Sequence, residues 1–489
     1  MTSPLEKMKY EPVIGLETHI ELQTRSKMFC SCPVVDLTST PPNTAICPVC
    51  TGQPGTLPVV NAKAIEFGYR VAAALNCDLA ERSVFSRKNY FYPDIPKGYQ
   101  ITQFDEPIGL NGSIVLHTSQ GQKLIRVRRV HLEEDTGKLT HIGKGSSSYS
   151  LVDLNRAGVP LLEIVTEPDF RSAEEVRLYA EYLRALVRYL GVNSGDLEKG
   201  VMRIEPNISV RLANDPQLGT KVEIKNLNSF RALERGVAYE IDRHIQLLEV
   251  GKKIKQETVG WNEETQKTVS QRSKEDAHDY RYFPEPDLPP ISVTRTWLDE
   301  LVKNLPESPW VKTERFHKQY KLKLSEAWQL ASDRSMADAF EAVLQSSPTL
   351  SSRVVFAWIT GDISAILTTR GLTFKDSPVS PIQIGELLDL LADGGINQPT
   401  AKNVLLEMFS SGNSPRAIVI EKNLGQVSDQ SILANLIAEV ISENPDEVEL
   451  YRAGKINVFH YLFGQVMNKV QGKANPQIVR EELERKLHQ

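Results

Sequence analysis

The most constraining feature of this sequence is a set of stretches in which apolar and polar residues alternate. In residues 14–22, IGLETHIEL, four aliphatic residues and one threonine share one face if the stretch is extended. The other face then carries Glu17, His19 and Glu21, because side chains along a strand alternate with a period of two. Residues 202–212, MRIEPNISVRL, alternate in the same way. The two stretches predict a sheet with one apolar face and one strongly polar face.

Helical periodicity interrupts these strands in two places. Ser172 and Glu175 have the spacing of a capping box, and apolar residues then recur at helical spacing up to Gly191, which suits a C-terminal cap. A second helix is expected to begin near Ser229. Strands and helices are mixed without a regular strand–helix–strand repeat. The sequence therefore favours an α+β fold over a doubly wound one.

The length of the chain predicts more than one domain. It has 489 residues, and single cores stop growing near about 250–300 residues. The proline-rich segment 281–290 ends the strand-rich part, and a Ser/Gly/Pro break at 410–415 interrupts the helical pattern that follows. We therefore predict an α+β domain at 1–292, a helical domain at 293–412 and a small helical domain at 413–489.

Composition and motifs exclude several classes of protein. No apolar run approaches the roughly 18 uninterrupted residues that a membrane span needs, so no membrane contact is expected. The N-terminal stretch has neither the layout of a signal peptide nor that of a transit peptide, which predicts a cytosolic location. The common phosphate-binding loops and the G-x-S-x-G elbow are absent from the sequence. A nucleotide would have to be held by a less familiar arrangement.

Cysteine spacing points to a metal. Four of the five cysteines lie within residues 30–50, spaced as C-x-C, fourteen residues, C-x-x-C. Four thiolates at such spacing are typical of a structural zinc site that closes a short loop. Buried unliganded cysteines or a disulfide pair are the alternatives, and Cys77 is expected to be an ordinary core residue. The four clustered cysteines are Cys30, Cys32, Cys47 and Cys50.

Acidic residues on separate segments form a second candidate site together with Glu17 and His19. Glu163 interrupts an aliphatic run, where a carboxylate is costly to bury unless it is paired or ligated. Glu133 and Glu134 end another strand-like stretch. Carboxylates with one imidazole suit Mg²⁺, particularly one that also holds a nucleotide phosphate. Each acid taken alone fits a solvated or salt-bridged role better, but three separate segments each supply a carboxylate, so both interpretations stay open for the group.

Two further segments combine cations with aromatic residues. Residues 86–103 are dense in lysine, tyrosine, asparagine and proline, which fits either a ligand-binding loop or tyrosines that pack a loop down. Residues 451–478 contain lysines, arginine and aromatic residues but no Asp or Glu. That pattern fits contact with nucleic-acid phosphates, or a helical core with solvated lysines.

Taken together, the motifs resemble one known family. The stretches VIGLETHIEL, CSC…CPVC, RKNYFYPDIPKGYQITQ, HLEEDTGK, LVDLNRAGVPLLEIVTEPD and NVFHYLFGQVMNKVQGKANP, in this order, resemble the B subunits of the glutamyl/aspartyl-tRNA amidotransferases. The resemblance implies an α+β cradle domain similar to glutamine synthetase, then a helical domain and a tail domain that contacts tRNA. It also implies ATP-dependent phosphorylation of the side-chain carboxylate of Glu-tRNA(Gln) or Asp-tRNA(Asn). Ammonia would come from the A subunits, which are glutaminases, and the small C subunits would complete a heterotrimer.

The same resemblance assigns roles to residues of this chain. Lys88 becomes the candidate for phosphate or transition-state charge, Arg156 the candidate for the substrate carboxylate, and Tyr90 and Tyr92 candidate substrate contacts. The implied catalytic Mg²⁺ ligands are Glu17, His19, Glu134 and Glu163. The implied structural Zn²⁺ ligands are the four clustered cysteines. The implied tRNA contacts are Lys455, Lys469 and Lys473.

Two other functions fit parts of the sequence. A zinc-ribbon RNA-binding module without catalysis would need the cysteines but not the acidic residues. A ligase that acts on free glutamate would need the acidic residues but not the acid-free tail.

Overall fold

The structure is a computed structural model of the chain. It divides into two units, Met1–Pro309 and Trp310–Gln489, which are described separately. The residues that the structure describes are 9–143, 147–273, 279–424, 430–470 and 476–488.

Among its described residues, the first unit contains sixteen strands and four helices. Its helices are α1 (Ala62–Ala74), α2 (Ala173–Tyr189), α3 (Phe230–Glu249) and α4 (Arg295–Lys303). Its strands are β1 (Tyr10–Glu21), β2 (Asp78–Leu79), β3 (Arg82–Ser83), β4 (Phe85–Asn89), β5 (Tyr99–Gln103), β6 (Gly109–Thr118), β7 (Gly121–Glu134), β8 (Lys138–Ile142), β9 (Tyr149–Asp153), β10 (Pro160–Thr166), β11 (Met202–Leu212), β12 (Val222–Lys225), β13 (Glu257–Asn262), β14 (Lys267–Ser273), β15 (Phe283–Pro284) and β16 (Ile291–Ser292).

Among the described residues, one 12-stranded sheet dominates the unit. Its main path runs β14-β13-β12-β11-β1-β10-β7-β5-β4-β15, with β6 on β7 and β2 on β6. Of the strand pairs described in this sheet, β12–β13 alone is parallel. Long antiparallel strands flanked by helices confirm the predicted α+β class.

The apolar face of the sheet is buried as the alternation in β1 predicts. Ile14, Leu16 and Ile20 are almost completely buried, and each such side chain contributes about 1.5–3 kcal/mol through burial. Helix α1 lies close to the same face, because a Cβ on Gly68 would meet the side chain of Leu132 in β7. The packed face leaves the other face of these strands to the polar residues.

The predicted helix boundaries are confirmed. Ser172 caps α2 by accepting a hydrogen bond from the Glu175 N–H at 3.2 Å. Gly191 follows the helix with a φ of +66°, a conformation that glycine adopts without strain. Ser229 caps α3 in the same way, through the N–H of Ala232.

The regular elements of the second unit are all helices in the described part of the chain. One cluster of buried apolar residues draws on residues between 316 and 418, and another on residues between 433 and 487. The boundaries predicted at 292/293 and 412/413 stay predictions. No described helix is long and apolar enough to cross a membrane. The helices are α5 (Pro309–Tyr320), α6 (Leu324–Ala331), α7 (Arg334–Ser346), α8 (Ser352–Trp358), α9 (Ser364–Thr369), α10 (Pro381–Ala392), α11 (Gln398–Ser411), α12 (Pro415–Glu421), α13 (Gln430–Glu443), α14 (Pro445–Arg452), α15 (Val458–Lys469) and α16 (Pro476–Leu487).

Candidate functional site

The polar face of the large sheet crosses five neighbouring strands, from β7 through β10, β1 and β11 to β12. The register places His19 of β1 opposite Glu163 of β10, and Glu163 opposite His131 of β7. Directly opposed residues point to the same face, and Glu133 follows His131 by two positions. Three segments far apart in sequence therefore deliver their side chains to one place.

These four residues, His19, His131, Glu133 and Glu163, form what we call the central cluster. The Nε2 atom of His19 lies 3.4 Å from Glu163 Oε2 and 3.9 Å from Glu133 Oε1. The Nε2 atom of His131 lies 3.5 Å from Glu163 Oε2 and 3.9 Å from Glu133 Oε2. Two imidazoles thus face two carboxylates on the floor of the polar face.

Burial and mutual charge shift the pKa values of the central cluster. Burial alone would lower the pKa of His19, but the hydrogen bond and charge of Glu163, with the charge of Glu133, raise it to about 9. Burial and the neighbouring Glu163 raise the pKa of Glu133 to about 7. Burial lowers the pKa of His131 to about 4. The two carboxylates therefore favour a positive charge between them, either a proton on His19 or a cation.

The donor set of the central cluster fits a divalent cation. One ligand atom each from His19, Glu133 and Glu163 can be chosen so that all three lie within 4.8 Å of one another. The Nδ1 atoms of His19 and His131 are buried without a hydrogen-bond partner among the described residues. A buried polar atom of this kind indicates a missing water or ion nearby. Carboxylate oxygens with imidazole nitrogen suit Mg²⁺ or Mn²⁺.

Glu17 belongs to a second acidic group further along the sheet. Its ligand atom lies within 4.8 Å of those of Glu205 in β11 and Glu223 in β12. Lys225 neutralises part of this group, with its Nζ 2.9 Å from Glu205 Oε2 and 3.6 Å from Glu223 Oε1. Burial, and then the charge of Glu163, raises the pKa of Glu17. The single site expected for Glu17 and His19 is therefore two adjoining groups, because the two residues face different neighbours across the sheet.

Glu134 is not brought to His19 and Glu163, contrary to the expectation from the sequence. As the residue after Glu133 in β7, it points to the opposite face of the sheet. Its carboxylate pairs with Lys97 and accepts the backbone N–H of Ile101 at 3.0 Å. Glu133 takes the place predicted for Glu134.

Lys88 lies beside the central cluster, within a group of tyrosines. Its Nζ is 4.9 Å from the ring centroid of Tyr280 and 6.0 Å from that of Tyr90. Burial would lower the pKa of Lys88, but the charges of Glu133 and other acidic neighbours raise it, so the ammonium is held charged.

Tyr90 and Tyr92 line a cavity next to Lys88. Its volume is about 900 Å³, and it lies between residues 89–94 and residues 279–283. Tyr92 is 56% exposed, so its ring is open to a ligand. The structure therefore places both tyrosines in one concave surface.

Arg156 is already engaged by the main chain. Its Nε and Nη2 atoms donate to the carbonyls of Thr136 and Gly137, each at 2.9 Å, and its Nε lies 3.7 Å from Asp135. Asp135 also accepts from Arg203 at 2.8 Å. These bonds occupy the Nε–Nη2 edge of the guanidinium, so the contact with a substrate carboxylate stays a prediction that would use the Nη1–Nη2 edge.

The four clustered cysteines converge as the spacing predicts. Their Sγ atoms all lie within 4.8 Å of one another, and those of Cys47 and Cys50 are 3.9 Å apart. Zinc–sulfur bonds of about 2.3 Å in a tetrahedron place sulfur atoms roughly 3.8 Å apart. The donor set and its spacing therefore fit a four-thiolate zinc site, which we call the cysteine cluster.

The tail lysines have unequal surroundings. Lys455 is exposed, whereas Lys469 is paired with Glu439 and Glu443, each at 2.8 Å. The segment that carries Lys469 has no acid of its own, but the fold brings two from α13. Lys473 lies outside the described residues.

Sequence reasoning missed His131 and Glu223, and it placed Glu133 among the candidate acids but chose its neighbour Glu134 as the ligand. His131 and Glu133 lie two apart in HLEED, as Glu17 and His19 do in IGLETHIEL, so alternation could have grouped them. Glu223 stands in a short stretch, VEIK, in which only pairing with β11 indicates its face.

Comparison with known proteins identifies the family to which the chain belongs. Residues 12–299 match the GatB/GatE catalytic domain, and residues 338–487 match the GatB domain. The chain is 46% identical over 480 residues to the B subunit of aspartyl/glutamyl-tRNA(Asn/Gln) amidotransferase from Persephonella marina, and the match covers 98% of this chain and 99% of that protein. The protein of the same name from Synechococcus sp. strain JA-3-3Ab is 47% identical over 485 residues, 98% of each chain. The one from Thermotoga maritima is 46% identical over 476 residues, 96% of this chain and 98% of that protein. The resemblance read from the motifs is therefore confirmed, and the chain belongs to the GatB family of amidotransferase B subunits.

Proposed function

We propose that this chain is the B subunit of a tRNA-dependent amidotransferase and activates the side-chain carboxylate of Glu-tRNA(Gln), Asp-tRNA(Asn) or both with ATP. Family membership over nearly the whole chain supports this assignment. The observation that carries the chemistry is the central cluster, which has the donor set of a nucleotide-bound divalent cation.

The reaction needs activation because an oxide ion is a poor leaving group. In the proposed step, a side-chain carboxylate oxygen attacks the γ-phosphorus of ATP and ADP leaves, which gives an acyl phosphate. Ammonia then attacks the acyl carbon, loses a proton and expels phosphate, which keeps the former carboxylate oxygen. Activation and amidation are therefore separate displacements.

Each group on the polar face has a task in this proposal. His19, Glu133 and Glu163 would hold the cation, and Glu17 adjoins them with its own acidic group. Mg²⁺, when bound, supplies charge neutralisation of the phosphate oxygens. Lys88, kept charged by its acidic neighbours, stabilises negative charge that develops on the transferred phosphoryl group. The tyrosine-lined cavity next to Lys88 receives part of a substrate.

The cysteine cluster serves structure in this proposal. Four protein ligands leave no open position on zinc, so the ion takes no direct part in the reaction.

The partners that we propose are the glutaminase (A) and small (C) subunits of the amidotransferase and misacylated tRNA, with Lys455 a candidate tRNA contact. The cytosolic location stays a prediction from the sequence.

ADP formation by the assembled complex tests the function. We expect Glu-tRNA(Gln) or Asp-tRNA(Asn) to stimulate it, and uncharged tRNA and free glutamate to leave it unchanged. His19→Asn abolishes the stimulation, whereas His141→Asn, on the exposed hairpin of β8 and β9, retains it. Equal stimulation by free glutamate would favour a free-amino-acid ligase. Stimulation that survives in His19→Asn would remove the central cluster from the mechanism.

A further inference from the structure

Lys27 is a fully buried lysine with an unusual set of partners. Its relative exposure is 0%, and no hydrogen bond or ion pair joins its Nζ to a carboxylate of the described residues. The atoms that its ammonium contacts are Cys50 Sγ at 3.6 Å and the carbonyl oxygen of Leu154 at 3.2 Å. A buried ammonium of this kind has lost its hydration without gaining an acidic partner.

A buried ammonium raises the free energy of the folded state unless a negatively charged group lies nearby. Burying a charge is unfavourable by several kcal/mol unless it is paired and hydrogen-bonded. The carbonyl of Leu154 supplies only a dipole. The remaining contact, Cys50, supplies a full negative charge only as a thiolate, which is the form that binds a metal.

The cysteine cluster, when it holds a metal ion, has an excess of negative charge. Four thiolates around a divalent ion carry a net charge of −2, and the cluster lies in part-buried surroundings. Outer partners that hydrogen-bond to metal ligands tune affinity, and their loss lowers it by about 10- to 100-fold. Lys27 has the position of such a partner.

We infer that Lys27 is the counter-charge of the cysteine cluster: its ammonium donates a hydrogen bond to the Cys50 thiolate and offsets one of the two excess negative charges of the loaded site. Lys27 is thus a positioning residue for the metal and not one of its ligands. The inference rests on the zinc site proposed above, but not on the amidotransferase reaction.

The same lysine ties the cysteine cluster to residues 152–158, the segment that carries Arg156. Besides the contact of Lys27 with Leu154, the N–H of Met28 donates to the carbonyl of Gly158 at 2.7 Å. The N–H of Ala45 donates to Asn155 Oδ1 at 2.8 Å. Metal binding fixes Lys27 and should therefore slow amide hydrogen exchange in the backbone of residues 152–158.

The test compares zinc affinity and stability in the full-length chain. Zinc is titrated against a chromogenic chelator for the wild type, Lys27→Met and Lys27→Gln. We expect both variants to bind zinc roughly 10- to 100-fold more weakly. Without zinc, Lys27→Met should melt no lower than the wild type, because an uncompensated buried charge has been replaced by an apolar side chain of similar length.

Matched controls separate this role from a purely structural one. Lys63→Met removes an exposed lysine of α1 that pairs with Glu66, and should leave zinc affinity unchanged. Amide hydrogen exchange in residues 152–158 should become faster when zinc is removed from the wild type. It should also be faster in Lys27→Met with zinc present than in the zinc-loaded wild type. Equal zinc affinities of wild type and both Lys27 variants would overturn the role of Lys27 alone. A wild-type chain that takes up no zinc would overturn the metal site and the role of Lys27 together.

Discussion

The adjacent residues Glu133 and Glu134 offer the sharpest perturbation of the proposed site. Both are buried carboxylates at the end of β7, but they point to opposite faces of the sheet. Glu133 contacts His19 and His131, whereas Glu134 pairs with Lys97. Glu133→Gln and Glu134→Gln are therefore isosteric changes, one inside the central cluster and one outside it.

The expected effect of Glu133→Gln follows from Coulomb's law. Two unit charges about 4 Å apart interact by about 4 kcal/mol at an effective dielectric constant of roughly 20. A divalent ion carries two charges, so its attraction to one carboxylate at that range is about 8 kcal/mol. The hydration that the ion loses and the repulsion between Glu133 and Glu163 offset roughly half of this attraction. Neutralising Glu133 should weaken divalent-cation binding by on the order of 4 kcal/mol, or roughly a thousandfold.

Glu134→Gln should act on stability instead. Lys97 is mostly buried, so loss of its partner leaves a poorly compensated charge and costs about 3–5 kcal/mol. The affinity for the cation should change by less than about threefold, because the central cluster is intact.

Isothermal titration with Mn²⁺ and thermal unfolding distinguish the two variants. Glu133→Gln should lose cation affinity and keep most of its melting temperature, and Glu134→Gln should do the reverse. Equal losses of cation affinity would refute the assignment of Glu133 over Glu134, as would full affinity in Glu133→Gln.

Three further results are expected. Lys88→Met should lower the rate of tRNA-stimulated ADP formation by about 10²–10³-fold at unchanged cation affinity, and a change below threefold would exclude Lys88 from the chemistry. Burial would raise the pKa of Glu240, but the His244 imidazole 3.3 Å away and hydrogen bonds from Arg243 and Thr268 lower it from 4.5 to about 2, which corresponds to about 3 kcal/mol of stability. This contribution is present above pH 4.5 and is lost as the pH falls towards 2. In urea unfolding, Glu240→Gln should therefore be less stable than the wild type at pH 7 and nearly as stable near pH 2. A difference in stability that persists near pH 2 would contradict the linkage. Zinc chelation should lower the melting temperature of the wild type but not of a chain with all four clustered cysteines changed to serine, and equal shifts would argue against a structural metal.

Local features of the fold were predictable because they depend on neighbouring residues. The cap at Ser172 and the strand from Met202 to Leu212 follow from spacing alone. The convergence of the cysteines follows from their spacing, because the C-x-C pair and the C-x-x-C pair lie at the two ends of one short loop.

The central cluster was only partly predictable because it depends on register. Alternation shows that Glu133 and Glu134 face opposite ways, but only the pairing of β7 with β10 shows which one meets His19. The same limit applies to the tail, where two acids from α13 reach Lys469 across the fold.

The fate of the side-chain carboxylate oxygen tests the proposed activation most directly. Glu-tRNA(Gln) labelled with ¹⁸O in its side-chain carboxylate is amidated by the assembled complex, and the released phosphate is analysed by mass spectrometry. One labelled oxygen should appear in phosphate for each Gln-tRNA(Gln) formed, and Glu133→Gln should form neither product. Amidation that yields unlabelled phosphate would contradict an acyl phosphate and with it the proposed function of the polar face.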